Sequence, residues 1–100
     1  MKKCVTIYAN ISITEEILEA LAAEGLKFYT QFPRIVGQGP ATGPRLDSHV
    51  WPGANTGFQV VAEADVLDRL MDKLQALRSS EMGRQSGLFA FMTPVDRALE

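Results

Sequence analysis

The 100-residue chain holds one cysteine, one histidine and one tryptophan, and each scarcity excludes something. A lone Cys4 excludes an internal disulfide framework and fits a reducing compartment. A lone His49, with no Cys beside it and only Asp47 close by, does not complete a tetrahedral metal site within one chain. Three copies meeting around an axis would supply enough ligands. It also leaves no motif for a Ser-His-Asp set, and no phosphate-binding or dinucleotide fingerprint is present. Asp68 and Asp72 fall on the polar face of a helix and read as solubilising, so an enzyme is not the expected class. No apolar run approaches the length of a membrane span, and the N-terminus shows no signal-peptide apolar region. The expected compartment is the cytoplasm, with no direct membrane insertion. Ten basic against 12 acidic residues, a net charge of -2, leave no basic footprint for nucleic acid.

What is there describes one ordinary globular domain, residues 1–100, with 46% hydrophobic and 22% charged residues. So small a domain buries a modest share of its surface, and self-association would help it. Cys4–Ala9 alternates and is β-branched, as a strand should be. Ser12-Ile13-Thr14-Glu15 has capping-box spacing ahead of a helix with Ile17, Leu18 and Leu21 on one face, stopped by Gly25. Lys27–Val36 reads as a second strand, placed at an edge or a bulge by Pro33. Gly57–Glu63 is a third. Asp65 is positioned to cap a second helix, whose Val66, Leu67, Leu70, Leu74 and Leu77 share a face, with Asp65 and Arg69 paired at i,i+4. A polar turn, Ser79–Gly87, leads into a fourth strand, Leu88–Met92. The order βαββαβ with right-handed crossovers predicts an α+β, ferredoxin-like fold. Its four-stranded antiparallel sheet carries both helices on one face. Tyr8, Phe28, Phe89 and Phe91 alternate along strands and read as core or subunit interface.

Between the second and third strands runs Val36–Asn55, rich in Gly and Pro and holding both His49 and Trp51. Loops of that length are commonly functional. Gly37, Gly39 and Gly43 suit either backbone cradling of an anion or tight turns. Arg34, Arg45 and Arg84 are candidate phosphate contacts. Trp51 before Pro52 either stacks on a ligand or partner or pins the loop to the body.

This excursion, opening with Val36-Gly37-Gln38-Gly39, resembles the T-loop of the nitrogen-regulatory PII (GlnB-like) signalling family. The likeness extends to the turn Arg78-Ser79-Ser80-Glu81-Met82-Gly83 and to a final strand running into Pro94-Val95-Asp96. It implies a homotrimer that binds a small effector, typically ATP or ADP, between subunits. The T-loop (37–55) would then regulate a protein partner such as a transporter or efflux component. Gly37, Gly39 and Gly43 match the family's T-loop glycines and Gly83 the second glycine of its nucleotide-binding turn. The effector contacts expected in this chain are Gly37, Gly39, Gly43, Arg84 and Gly87, and the loop or partner contacts Arg45, His49, Trp51 and Asn55. The chain departs from the family where Gly83-Arg84-Gln85-Ser86 replaces Gly-Asp-Gly-Lys, and where the modifiable loop Tyr is absent. Ser48-His49-Val50-Trp51-Pro52-Gly53 looks more like a divergent PII-like group encoded beside heavy-metal efflux pumps. The effector is therefore left open between an adenine nucleotide and a transition-metal ion. The alternative reading is a CutA-like or efflux-associated metal binder using His49, and a small oligomeric enzyme stands behind it.

Overall fold

A computed structural model describes residues 1–39, 43–45 (backbone) and 54–100. In chain order the elements are β1 (Lys2–Asn10), a single 3-10 turn (Ile11–Ile13), α1 (Thr14–Ala23), β2 (Thr30–Ile35), β3 (Gly37–Gly39), β4 (Gly43–Arg45), β5 (Asn55–Glu63), α2 (Ala64–Ser79) and β6 (Phe89–Pro94). The main sheet is antiparallel with strand order β2-β5-β1-β6, and α1 and α2 cover one face of it, as the element order predicts. β3 and β4 form a separate two-stranded hairpin.

The core follows from two superposed periods. Every second residue of the central strands, Val5, Ile7 and Ala9 in β1 and Phe58 and Val60 in β5, is buried under the helices. Ile17 and Leu21 of α1 and Leu67, Leu70 and Leu74 of α2 close that layer. Each fully buried side chain of this kind contributes about 1.5–3 kcal/mol. α1 ends as its glycine requires. Gly25 has φ +70°, its N–H donates to Ala22 O (2.9 Å) and Leu26 N–H donates to Leu21 O (3.0 Å), a closed C-terminal motif. The adjoining Glu24 accepts from Arg69 Nε and Lys73 Nζ, both at 2.9 Å, tying α1 to α2. Those two cations, Lys73 foremost, hold its carboxyl below the usual glutamate range.

The structure departs locally from the sequence reading. Ser12 does not cap α1. Asn10 Oδ1 accepts from Ser12 N–H (2.8 Å), the 3-10 turn intervenes, and Thr14 Oγ1 donates back to Ile11 O (2.7 Å). Asp65 lies within the first turn of α2 rather than at its cap; the cap position is Glu63, which makes no side-chain capping bond. Its expected pairing with Arg69 is present at 3.9 Å between exposed groups. β2 begins at Thr30, so Lys27–Tyr29 precede it and Phe28 is solvent-exposed rather than core. The register slips between Phe32 and Ile35, around Pro33, as a proline on an edge strand would cause. Finally, the Gly- and Pro-rich excursion has secondary structure of its own, the β3–β4 hairpin.

Candidate functional site

One end of the sheet gathers most of the predicted site. Asn55 opens β5 and stands in register between Asn10 of β1 and Ile35 of β2. Gly37 follows two residues after Ile35, and a side chain built there would meet Asn55 Nδ2 at 3.6 Å, an ordinary contact. Gly37 thus needs neither positive φ nor missing bulk within the protomer. It pairs with Arg45, and Gly39 pairs with Gly43, so these four predicted positions form the two strands of one hairpin. His49 and Trp51 lie outside the described residues. Among the described residues no group of three His, Cys, Asp or Glu side chains converges as a metal-ligand set.

The turn between α2 and β6 carries the remaining predicted residues. Two serines lock it. Ser80 Oγ donates to Leu77 O (2.6 Å) and accepts from Gly83 N–H (3.0 Å). Buried Ser86 donates through Oγ to Gly83 O (2.7 Å), and its Oγ accepts from Leu88 N–H (3.2 Å). Arg84 N–H donates to Ser80 O (3.0 Å) and Ser86 N–H to Gly83 O (3.1 Å). The amides of residues 83, 84, 86 and 88 are therefore committed inside the turn. Gly83 is a steric requirement, because a Cβ there would sit 1.9 Å from Leu77 O at the end of α2. Gly87 is a conformational one, with φ +67°. Arg84 is exposed, and its guanidinium has no partner among the described residues.

Topology separates these two halves. Asn10 N–H donates to Ser86 O (2.8 Å), which places the turn at the β6 edge of the same sheet end. The hairpin springs from the β2 edge, and β5 and β1 intervene. Three inter-strand steps put the two edges about 14 Å apart. A ligand touching both Gly37 and Arg84 of one chain must span that distance, and a smaller one takes the two contacts from two copies.

The face opposite the helices offers a surface for such copies. Tyr8, Phe32, Val61, Phe89 and Phe91 project there, each 38–59% exposed. Tyr8 packs tilted against Phe91 and Phe91 against Phe89, at centroid separations of 6.5 and 5.7 Å. The rings of Tyr8 and Phe32 close over Gly57, where a Cβ would meet them at 3.4 and 3.5 Å. Sequence alternation pointed to Tyr8, Phe89 and Phe91 but not to Phe32 or Val61. A groove of about 230 Å³ between α2 and β6, lined by Met71, Leu74, Arg78 and Phe89, is smaller than ordinary ligand pockets and lies apart from the hairpin.

No protein-family model and no curated protein matches the chain. Solved structures do. A PII-like signalling protein of Thermus thermophilus superposes with TM-score 0.64 at 23% identity, over 91% of this chain and 83% of that one. CPII of Thiomonas intermedia, a nitrogen regulatory PII-like protein bound to ADP, AMP and bicarbonate, superposes with TM-score 0.70 at 17% identity. That match covers 96% of this chain and 89% of CPII. The fold is that of the PII-like proteins. A DUF3240 family protein of Shewanella baltica shares it too, with TM-score 0.72 at 15% identity over 99% of this chain and 94% of that one. The β3–β4 hairpin lies between the second and third strands of the main sheet, and the serine-locked turn follows the second helix. No helix among the described residues is long and apolar enough to cross a membrane.

Proposed function

We propose that this chain is a non-catalytic, trimeric regulator of the PII-like type, which binds an adenine nucleotide between subunits and signals through residues 37–55. The observation that carries the reading is the split site. Gly37 beside the β2 edge and Asn55 at the start of β5 lie on one side of the sheet end, Arg84 and Gly87 at its β6 edge, two to three inter-strand steps of about 4.8 Å away. A head-to-tail contact that closes into a ring brings one copy's β2 edge to the next copy's β6 edge and completes the site. The open aromatic face gives such a ring an apolar surface to bury, which a domain of this size needs. CPII, with the same fold, holds ADP and AMP. The nucleotide shifts the hairpin between arrangements in proportion to its differential affinity for them, and the segment bearing His49 and Trp51 then docks on a protein partner.

Isothermal titration with ATP, ADP and AMP tests the reading, alongside trypsin cleavage within residues 37–55. Saturable binding near one nucleotide per chain, with altered cleavage at Arg45, supports it. Absence of binding by all three nucleotides refutes it, and binding that leaves cleavage unchanged refutes the signalling step.

A further inference from the structure

We infer that Asn55 couples the arrangement of the hairpin to effector occupancy, by holding a hydrogen-bond acceptor that the ligand-free protomer leaves unmet. The inference rests on the nucleotide reading above. Asn55 Oδ1 is buried and has no hydrogen-bond partner among the described residues. Its neighbours are satisfied: Asn10 Oδ1 accepts from Ser12 N–H, and the Thr56 hydroxyl donates to Phe32 O (3.2 Å). The other such atom among the described residues, Glu16 Oε2, belongs to α1 on the helix-covered side of the sheet, whereas Asn55 alternates with core-facing Thr56 and Phe58 and belongs to the open side.

A buried acceptor without a donor is a standing cost that an apolar side chain of similar size would avoid. It sits at the junction of β5, β2 and the hairpin, next to Gly37. The unmet group defines the chemistry of its ligand. A carboxamide presents an acceptor and a donor side by side, the pattern that pairs with the exocyclic amine and ring nitrogen of adenine. Because Oδ1 is buried, an adenine edge reaches it only after the groups around it move, and the hairpin strand that begins at Gly37 adjoins the same carboxamide. On this inference ligand binding and hairpin displacement are one event.

The test uses the assembled protein and its Asn55→Leu variant, with thermal unfolding and titration of AMP and of inosine monophosphate, which lacks the exocyclic amine. Removing an unmet acceptor raises the melting temperature of the ligand-free protein by about 4 °C or more. The same change weakens AMP at least tenfold and abolishes the wild-type preference for AMP over inosine monophosphate. A lower melting temperature in Asn55→Leu overturns the inference, because it means a partner copy or water already satisfies the oxygen. Retained AMP preference in the variant overturns it too, while leaving the nucleotide reading intact. Failure of the wild type to bind AMP, ADP or ATP overturns that reading and the inference with it.

Discussion

Substituting Gly83 by alanine should be among the most damaging single-methyl changes available in this chain. A Cβ at this position would stand 1.9 Å from Leu77 O, 2.8 Å from Leu77 C and 3.2 Å from Arg78 Cα. All three are backbone atoms in the last turn of α2, so no flexible side chain can swing away to make room. Relief requires moving the turn off the helix end. That breaks the three hydrogen bonds made by the Gly83 backbone: N–H to Ser80 Oγ, and O from Ser86 N–H and Ser86 Oγ. At about 1 kcal/mol net for each, the loss is about 3 kcal/mol. For a domain of this length that is a fall in melting temperature of about 12–24 °C.

Two other glycines calibrate the result. Gly25→Ala meets no atom within 4 Å but must hold φ +70°, which costs about 1 kcal/mol. Gly37→Ala meets only Asn55 Nδ2 at 3.6 Å with ordinary backbone, and should stay within about 0.5 kcal/mol of wild type. Chemical denaturation at one fixed protomer concentration ranks the three, since assembly of the proposed kind would make stability concentration-dependent. If Gly83→Ala unfolds within about 1 kcal/mol of wild type, the turn is not braced against α2 as described.

Two further outcomes are expected. Glu24→Gln should destabilise the protein at neutral pH. Because the folded carboxyl titrates below its unfolded value of about 4.3, the stabilisation is full above that value and disappears as pH falls through the lowered one. The difference between variant and wild type in denaturant midpoint should therefore shrink as pH falls below about 4.3 and through the lowered value. Phe91→Glu, which puts charge in the middle of the open aromatic face, should reduce the mass seen by light scattering to that of one 11.0 kDa chain. A trimer that survives it would move the subunit interface elsewhere.

The parts of the fold that sequence revealed are those where one period dominates. The Leu67, Leu70, Leu74 stripe and the alternation of Val5, Ile7 and Ala9 are legible because one face of each element meets the core. The misread parts are those where local chemistry has competitors. Ser12 was a fair cap, but Asn10 captured its N–H and made a 3-10 turn first. Phe28 and Tyr29 look like strand residues, yet β-propensity measures fit to a packed surface, and the sheet begins after them. Gly37–Gly39 and Gly43–Arg45 escaped as strands because Gly and Pro are scarce in strands generally. For the site, the sequence indicated residues but not partners. That Gly83 is steric while Gly37 is unconstrained depends on where Leu77 O and Asn55 lie, and neither position is encoded in spacing.

The split site yields a test that does not depend on knowing the partner protein. Arg84→Ala removes the proposed anion-binding side chain at the β6 edge, and Asn55→Leu removes the carboxamide at the start of β5, beside the hairpin. Each alone should weaken nucleotide binding. If one protomer supplied both halves, every chain in a mixture of the two variants would carry a defect, and no mixed assembly would bind. If adjacent copies each supply one half, random mixing after unfolding and refolding together regenerates intact sites wherever the Asn55 half comes from one variant and the Arg84 half from the other. In a head-to-tail ring each interface draws its two halves independently, so about one quarter of the sites recover wild-type affinity. Titration of the mixture should then show a tight class at that stoichiometry over a weak background. Recovery of none would return the site to a single protomer, where a ligand would have to span the sheet from the hairpin to the turn, or would use only one of the two.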